Sequence, residues 1–167
     1  MSALALSAPA LAAISQGLQQ DPAMARRELL ITMTEATLLV EREAKERMPR
    51  GATGLTAQSI QSDAFSTPAG VLGVVASSLP SAGAVEFGTR PHMPPVSALV
   101  PWVRAVLGVS AKEELGVAYL VARKIARRGT EAQAPFAKAI AATESQVLRM
   151  FEAAAVRIAA RMAGGAA

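Results

Sequence analysis

Eleven residues, Val85 to Pro95 (Val-Glu-Phe-Gly-Thr-Arg-Pro-His-Met-Pro-Pro), constrain this chain more than any other stretch. Pro91, Pro94 and Pro95 restrict their own φ and push the residue before each out of the helical region. The loop from Arg90 to Pro95 therefore holds one path and has little entropy left to lose on binding. Just ahead of it, Val85 to Phe87 reads as a short strand that Gly88 ends, with Glu86 on the face opposite Val85 and Phe87. A strand end running into a clamped loop suits docking onto another protein better than chemistry on a small molecule.

The composition says what the loop is mounted on. A chain of 167 residues can hold one domain with a sizeable core. Hydrophobic residues make up 51% but aromatics only 4%, and much of the remainder is alanine. Such a chain tends to be helical with close helix contacts and a thin core, and neighbouring subunits are needed to cover its remaining apolar surface. There is no cysteine, so disulfides and thiolate metal sites are excluded, and His92 is the only imidazole. No cofactor is expected. The apolar run Met1 to Ile14 lacks a positively charged start and is divided by Pro9. No stretch approaches about 20 uninterrupted apolar residues, so a soluble chain without membrane contact is expected.

Periodicity sets the expected architecture: an α+β fold in which a small antiparallel sheet packs with long N-terminal and C-terminal helices and two shorter ones. Residues 1–20 read as an arm or short helix, 21–163 as a single domain and 164–167 as a loose tail. Asp21 and Pro22 open a helix to about Met48, with Leu29, Met33, Ala36, Val40 and Ala44 as its inward stripe. Strands are expected near 59–66 and 71–76, joined by a turn at Thr67-Pro68-Ala69-Gly70, and again near 84–87. Gly73 marks a bulge or a close contact. Ser97 is the expected cap of a helix whose Leu99, Trp102 and Val106 face inward until Gly108. Ser110, with Glu113 as a capping box, opens another from Ala111, with Leu115, Ala118, Ala122 and Ile125 inward. Pro135-Phe136 starts a last helix to about Ala163, with Ile140, Val147, Phe151, Ala154, Ile158 and Met162 as its stripe.

Enzyme templates fail in turn. Gly-x-Ser-x-Gly is absent, the glycine-rich turn at 51–54 has no Gly-Lys-Ser/Thr, and the carboxylates mostly sit in charged helical runs. Arg123, Lys124, Arg127 and Arg128 crowd one helix end, where cations favour the dipole. The same cluster could meet an acidic protein surface or a phosphate backbone. With a net charge of only +4 and no interleaved aromatics, a basic nucleic-acid-binding protein that uses this cluster is the alternative reading.

Several pieces in shared order resemble one family. They are Ala44-Lys45 before Pro49, Thr53-Gly54-Leu55 with Ser59-Ile60, and Val85-Glu86-Phe87-Gly88-Thr89. His92, Pro94-Pro95, Leu99 and Trp102-Val103 follow, then Val121-Ala122-Arg123-Lys124-Ile125 with Gly129-Thr130, and Pro135-Phe136. Over 44–136 the chain resembles the minor tail protein Z-like family, small neck or tail-completion proteins of long-tailed double-stranded DNA bacteriophages. Residues before Asp21 and the proline at 101 depart from that pattern. The resemblance implies a non-enzymatic virion protein, assembled in the host bacterial cytoplasm, that forms a ring of six at the head–tail junction and helps join tail to capsid. Tail terminator, tail-tube or head-side connector proteins are its implied partners, with loose contact to passing DNA. On this reading Glu86, Phe87, Gly88, Thr89, Arg90, His92, Pro94 and Pro95 form the subunit or partner interface, with Arg123, Lys124, Arg127 and Arg128 as a second contact.

Overall fold

A computed structural model describes residues 6–164. Within them the chain is an α+β fold of long helices and one two-stranded antiparallel sheet. The stretch read as one domain contains two compact units: one from residues up to 43, 61–76 and from 139, the other from 44–60 and 77–138.

In the first unit, of the arm or short helix read over 1–20, residues 8–20 form a helix, α1 (Ala8–Gln20), and residues 1–5 lie outside the described residues. The Asp21 carboxylate accepts the Met24 N–H at 3.0 Å and caps α2 (Pro22–Arg47), as the Asp-Pro pair predicts. Leu29, Ala36 and Ala44 of the stripe are buried, with Met33 and Val40 half-buried. Gly17 is buried because a Cβ there would lie 2.4 Å from Ile158 Cγ2. Ile158 belongs to α7 (Pro135–Gly164) and forms a small core with Ala25 and Leu29. Of the α7 stripe Ile140 is exposed, whereas Ala154 and Ile158 are buried. The helix includes Gly164, and 165–167 of the expected tail lie outside the described residues.

The sheet pairs β1 (Ile60–Thr67) with β2 (Gly70–Ser77) through the Pro68-Ala69 turn. Arg26 donates to the Thr67 and Pro68 carbonyls and holds that turn. Gly73 is the close contact: a Cβ there would fall 2.4 Å from Thr37 Cγ2 and 2.6 Å from Met33 Sδ. Only glycine lets α2 approach the strand this closely.

The second unit departs most from the periodicity. The strand expected near 84–87 is the end of a helix, α4 (Pro80–Phe87). Leu79 is extended, Pro80 supplies the helical φ at the first position, and Ala82 to Ala84 continue the turn until Gly88 ends it. The apolar triplet Val85-Glu86-Phe87 is too short for its pattern to outweigh that start. Ahead of the sheet Leu55–Gln58 is a helical turn, α3, and the strand expected near 59–66 runs from Ile60 to Thr67. Helix α5 (Val96–Trp102) is capped by Pro95 instead of Ser97, which leaves Pro101 inside it. A π-helical turn (Val103–Leu107) follows and ends at Gly108. That widened turn rotates the register, so Val103 is buried and Val106 exposed, while Leu99 and Trp102 are half-buried. Helix α6 (Glu114–Arg128) starts three residues later than Ala111, because the Ser110 hydroxyl bonds the Glu113 carboxylate at 2.6 Å and leaves the backbone uncapped.

Gly17 and Gly83 make opposite predictions. Gly17→Ala should lower stability by about 1–3 kcal/mol through overpacking against Ile158. Gly83, in α4 with nothing near its Cβ position, should gain up to about 1 kcal/mol as alanine. Urea denaturation of both variants checks the pair.

Candidate partner-docking site

The proline loop is built on a backbone bridge that local sequence does not announce. Thr89 and Thr130 form an isolated antiparallel bridge: the Thr89 N–H donates to the Thr130 carbonyl at 3.0 Å, and the Thr130 N–H to the Thr89 carbonyl at 3.1 Å. Their hydroxyls also meet at 3.0 Å. Each threonine follows a glycine that the bridge requires. A Cβ on Gly88 would lie 2.4 Å from the Thr130 carbonyl oxygen, and one on Gly129 would lie 1.9 Å from the Thr89 oxygen. Both glycines also hold φ near +70°, at 70° and 69°, where other residues are strained. Two Gly-Thr pairs, 41 residues apart, thus clasp each other.

Glu86 extends the clasp. Its two carboxylate oxygens accept the Phe136 N–H at 2.8 Å and the Ala137 N–H at 3.1 Å. These are early orphan donors of α7, placed after the buried Pro135, so the carboxylate caps the helix and meets the positive end of its dipole. The Gln133 N–H adds a bond to the Val85 carbonyl at 2.9 Å. Ala134, just before the helix, holds φ at 51°, and its carbonyl accepts the Lys138 N–H at 3.0 Å. Glu86 therefore has an intrachain task, and its place in a helix removes the face assignment that strand alternation predicts.

What remains presented outward is mostly apolar. Phe87 is 81% exposed, the largest exposure among the large apolar side chains described, and Met93 is also exposed. Arg90, His92 and Pro95 are exposed, with Thr89 and Pro94 half-buried. His92 Nδ1 lies 2.9 Å from the Arg90 carbonyl. A carbonyl can only accept, so Nδ1 is the donor of this contact.

Helix α6 carries the second candidate surface. Ala118 and Ala122 are buried and Ile125 half-buried, while Arg123, Lys124, Arg127 and Arg128 are all exposed on the opposite side. Leu115, expected inward, is exposed. Glu114 takes the inward position of the first turn, and Leu115 lies about 100° further round. Arg104 holds Glu114 there through a paired contact, Nε to Oε1 at 2.6 Å and Nη2 to Oε2 at 2.8 Å. Leu115, Tyr119 and Leu120 therefore share the outward face with the cations, and the Arg123 guanidinium sits 5.9 Å from the Tyr119 ring centre. The face is apolar over its first turns and basic over its last.

Two charged contacts went unread in the sequence. One is Arg104–Glu114. The other is Glu28, 3% exposed, which binds Arg157, Arg161 and, through Arg157, the Thr32 hydroxyl. Glu28 and Thr32 stand one turn apart beside Leu29 on the inward stripe of α2, which is the one local signal available. Among the described residues no group of three or more His, Asp or Glu side chains converges as a metal site. No described helix is long and apolar enough to cross a membrane. No family model, curated protein or solved structure matches this chain.

Glu86→Ala should cost about 1–2 kcal/mol, the value of a lost helix cap, whereas Arg90→Ala should change stability by less than about 0.5 kcal/mol. Denaturant melts of the two single variants separate these roles. The Arg104 hydrogen bond, with its charge, holds the Glu114 carboxyl below its usual 4.5, against the opposing effect of desolvation. Because the folded value is the lower one, this contact stabilises fully above the unfolded value and is lost as pH falls through the folded value. Glu114→Gln should therefore flatten the acid limb of a stability-versus-pH curve and leave its neutral-to-basic shape unchanged.

Proposed function

We propose that this protein is a structural subunit of the head–tail junction of a long-tailed double-stranded DNA bacteriophage. It works there as a neck or tail-completion protein, in a ring of six that caps the tail and helps join it to the capsid. The observation that carries the assembly part is an inversion of size. Ten of the fifteen hydrophobic residues buried among those described are alanines, while sixteen large apolar side chains, Phe87, Leu115 and Leu120 among them, are exposed. Alanines allow close helix contact but bury little area each, so the larger stabilisation is left for neighbouring molecules to supply.

The phage assignment rests on the ordered residue pieces between 44 and 136. Two pieces of that pattern, Val85-Glu86-Phe87-Gly88-Thr89 and Gly129-Thr130 with Pro135-Phe136, supply the residues of the clasp. A closed ring needs two different complementary surfaces on each subunit. The pre-ordered loop with Phe87 and Met93 supplies one, and the outward face of α6 or the long helix α7 the other. An acidic protein surface fits α6 better than a duplex, because phosphates would leave Leu115 and Leu120 uncovered. Virion localisation in the tail or neck follows from the same reading.

Native mass measurement, alone and with a tail-tube protein, should give a closed ring. Charge reversal at Arg123 and Arg127 should block tail completion or head joining without altering any affinity for duplex DNA. A strict monomer that never enters tails would count against the ring. Steeply salt-dependent duplex binding by the isolated chain, lost on the same reversal, would instead favour the nucleic-acid reading.

A further inference from the structure

The hairpin has one protected edge and one open edge. Its two-residue turn places Thr67 opposite Gly70, and hence Phe65 opposite Leu72, Asp63 opposite Val74 and Gln61 opposite Ala76. All six of those residues beyond the turn are exposed, so they share the outer face, and Phe65, Leu72 and Val74 are 42%, 47% and 41% exposed. On β1 the edge is blunted. The Asp63 carboxylate takes the Ala64 N–H at 2.8 Å and sets a negative charge there, and the Ser62 hydroxyl is bound to Glu41. Strand β2, Gly-Val-Leu-Gly-Val-Val-Ala-Ser, has no charge and no proline. In the register above, its Val71, Gly73 and Val75 turn their N–H and C=O groups away from β1. Among the described residues the sheet has no third strand to meet them.

Proteins protect such edges with charges, prolines or a covering element, and a two-stranded hairpin is marginal by itself. We propose that β2 pairs with β2 of a second copy of this chain, antiparallel about a two-fold axis at Gly73, giving a four-stranded sheet. In that register Val71 lies opposite the second copy's Val75, and Leu72 opposite the second copy's Val74. The outer faces then join into one stripe with Leu72 and Val74 of both copies at its centre and Phe65 and Asp63 of each copy at its borders. An uncharged edge meets its own copy without repulsion, whereas pairing onto β1 would displace the Asp63–Ala64 bond. With one open edge per copy this strand pairing joins two chains only and does not run on into fibres, whatever other contacts each copy makes. Strand pairing of this length falls below the roughly 1,200 Å² of a stable interface, so the dimer is weak and concentration-dependent. The pairing does not rest on the phage assignment.

The full-length chain has no cysteine, which makes cross-linking clean. Leu72 and Val74 occupy a non-hydrogen-bonded pair, where Cα atoms lie about 4.5 Å apart, within disulfide reach. The double variant Leu72→Cys/Val74→Cys should oxidise to a covalent dimer, and either single variant should do so far less. In sedimentation, Leu72→Lys, which lies opposite Phe65 and not Asp63, should weaken self-association about tenfold or more by charging the paired stripe. That residue is exposed, and an unchanged thermal melt of the diluted variant checks that it folds. A folded double variant that stays monomeric on oxidation at high concentration overturns the proposal. So does equal cross-linking by the single variants, or a β2 strand captured only by a different tail protein. Loss of tail association with the cross-link intact would sink the phage reading and leave this one standing.

Discussion

The Gly-Thr clasp and the carboxylate beside it are the constraint on which the second unit depends. The unit is made of short helices and loops, with few large buried side chains; Val103 and Ile60 are the main ones. A thin core of this kind does not by itself select one path for residues 88–95 and 129–134. The two antiparallel backbone bonds, the paired hydroxyls and the Glu86 cap do so, by directed bonds that fail if the strands shift. Glycine at 88 and 129 is the condition for that contact, since a single methyl group at either position would overlap a backbone carbonyl.

The first unit solves the same shortage of bulk differently. Gly17 lets α1 sit against Ile158, and Gly73 lets β2 sit against Met33 and Thr37, so small residues bring backbones close. Glu28 then ties α2 to α7 through two arginines, and a buried carboxylate with two cationic partners tolerates little misalignment. In both units directional polar contacts supply specificity that hydrophobic volume does not. The large apolar side chains are free to face outward, and that connects the internal economy of the fold with the assembly role proposed for it.

Much of the helical architecture was legible from local rules. Asp21-Pro22 opens α2, Pro135 opens α7, and Gly108 and Gly129 end helices, because each signal acts within one turn. The failures have local causes too. Val85-Glu86-Phe87 alternates like a strand, yet Pro80, at the first position of the same eight-residue helix, had already committed the segment to a helix. Trp102 and Val106 follow an α-helical spacing that the π-turn after Pro101 breaks. Leu115 fits the inward stripe of α6, but Glu114 occupies the inward position because Arg104 reaches it.

The sequence by itself determined the starts of α2 and α7, the hairpin turn, the rigidity of the proline loop and the outward crowding of Arg123 to Arg128. Each depends on the stereochemistry of a few neighbouring residues. Only the tertiary structure decided that Glu86 caps a helix 50 residues away and that the two Gly-Thr pairs meet. It alone also left β2 with an open edge while β1 is closed by Asp63. Hydrogen bonds between distant segments leave no periodic trace along the chain, because pairing is set by where the packed helices carry each segment.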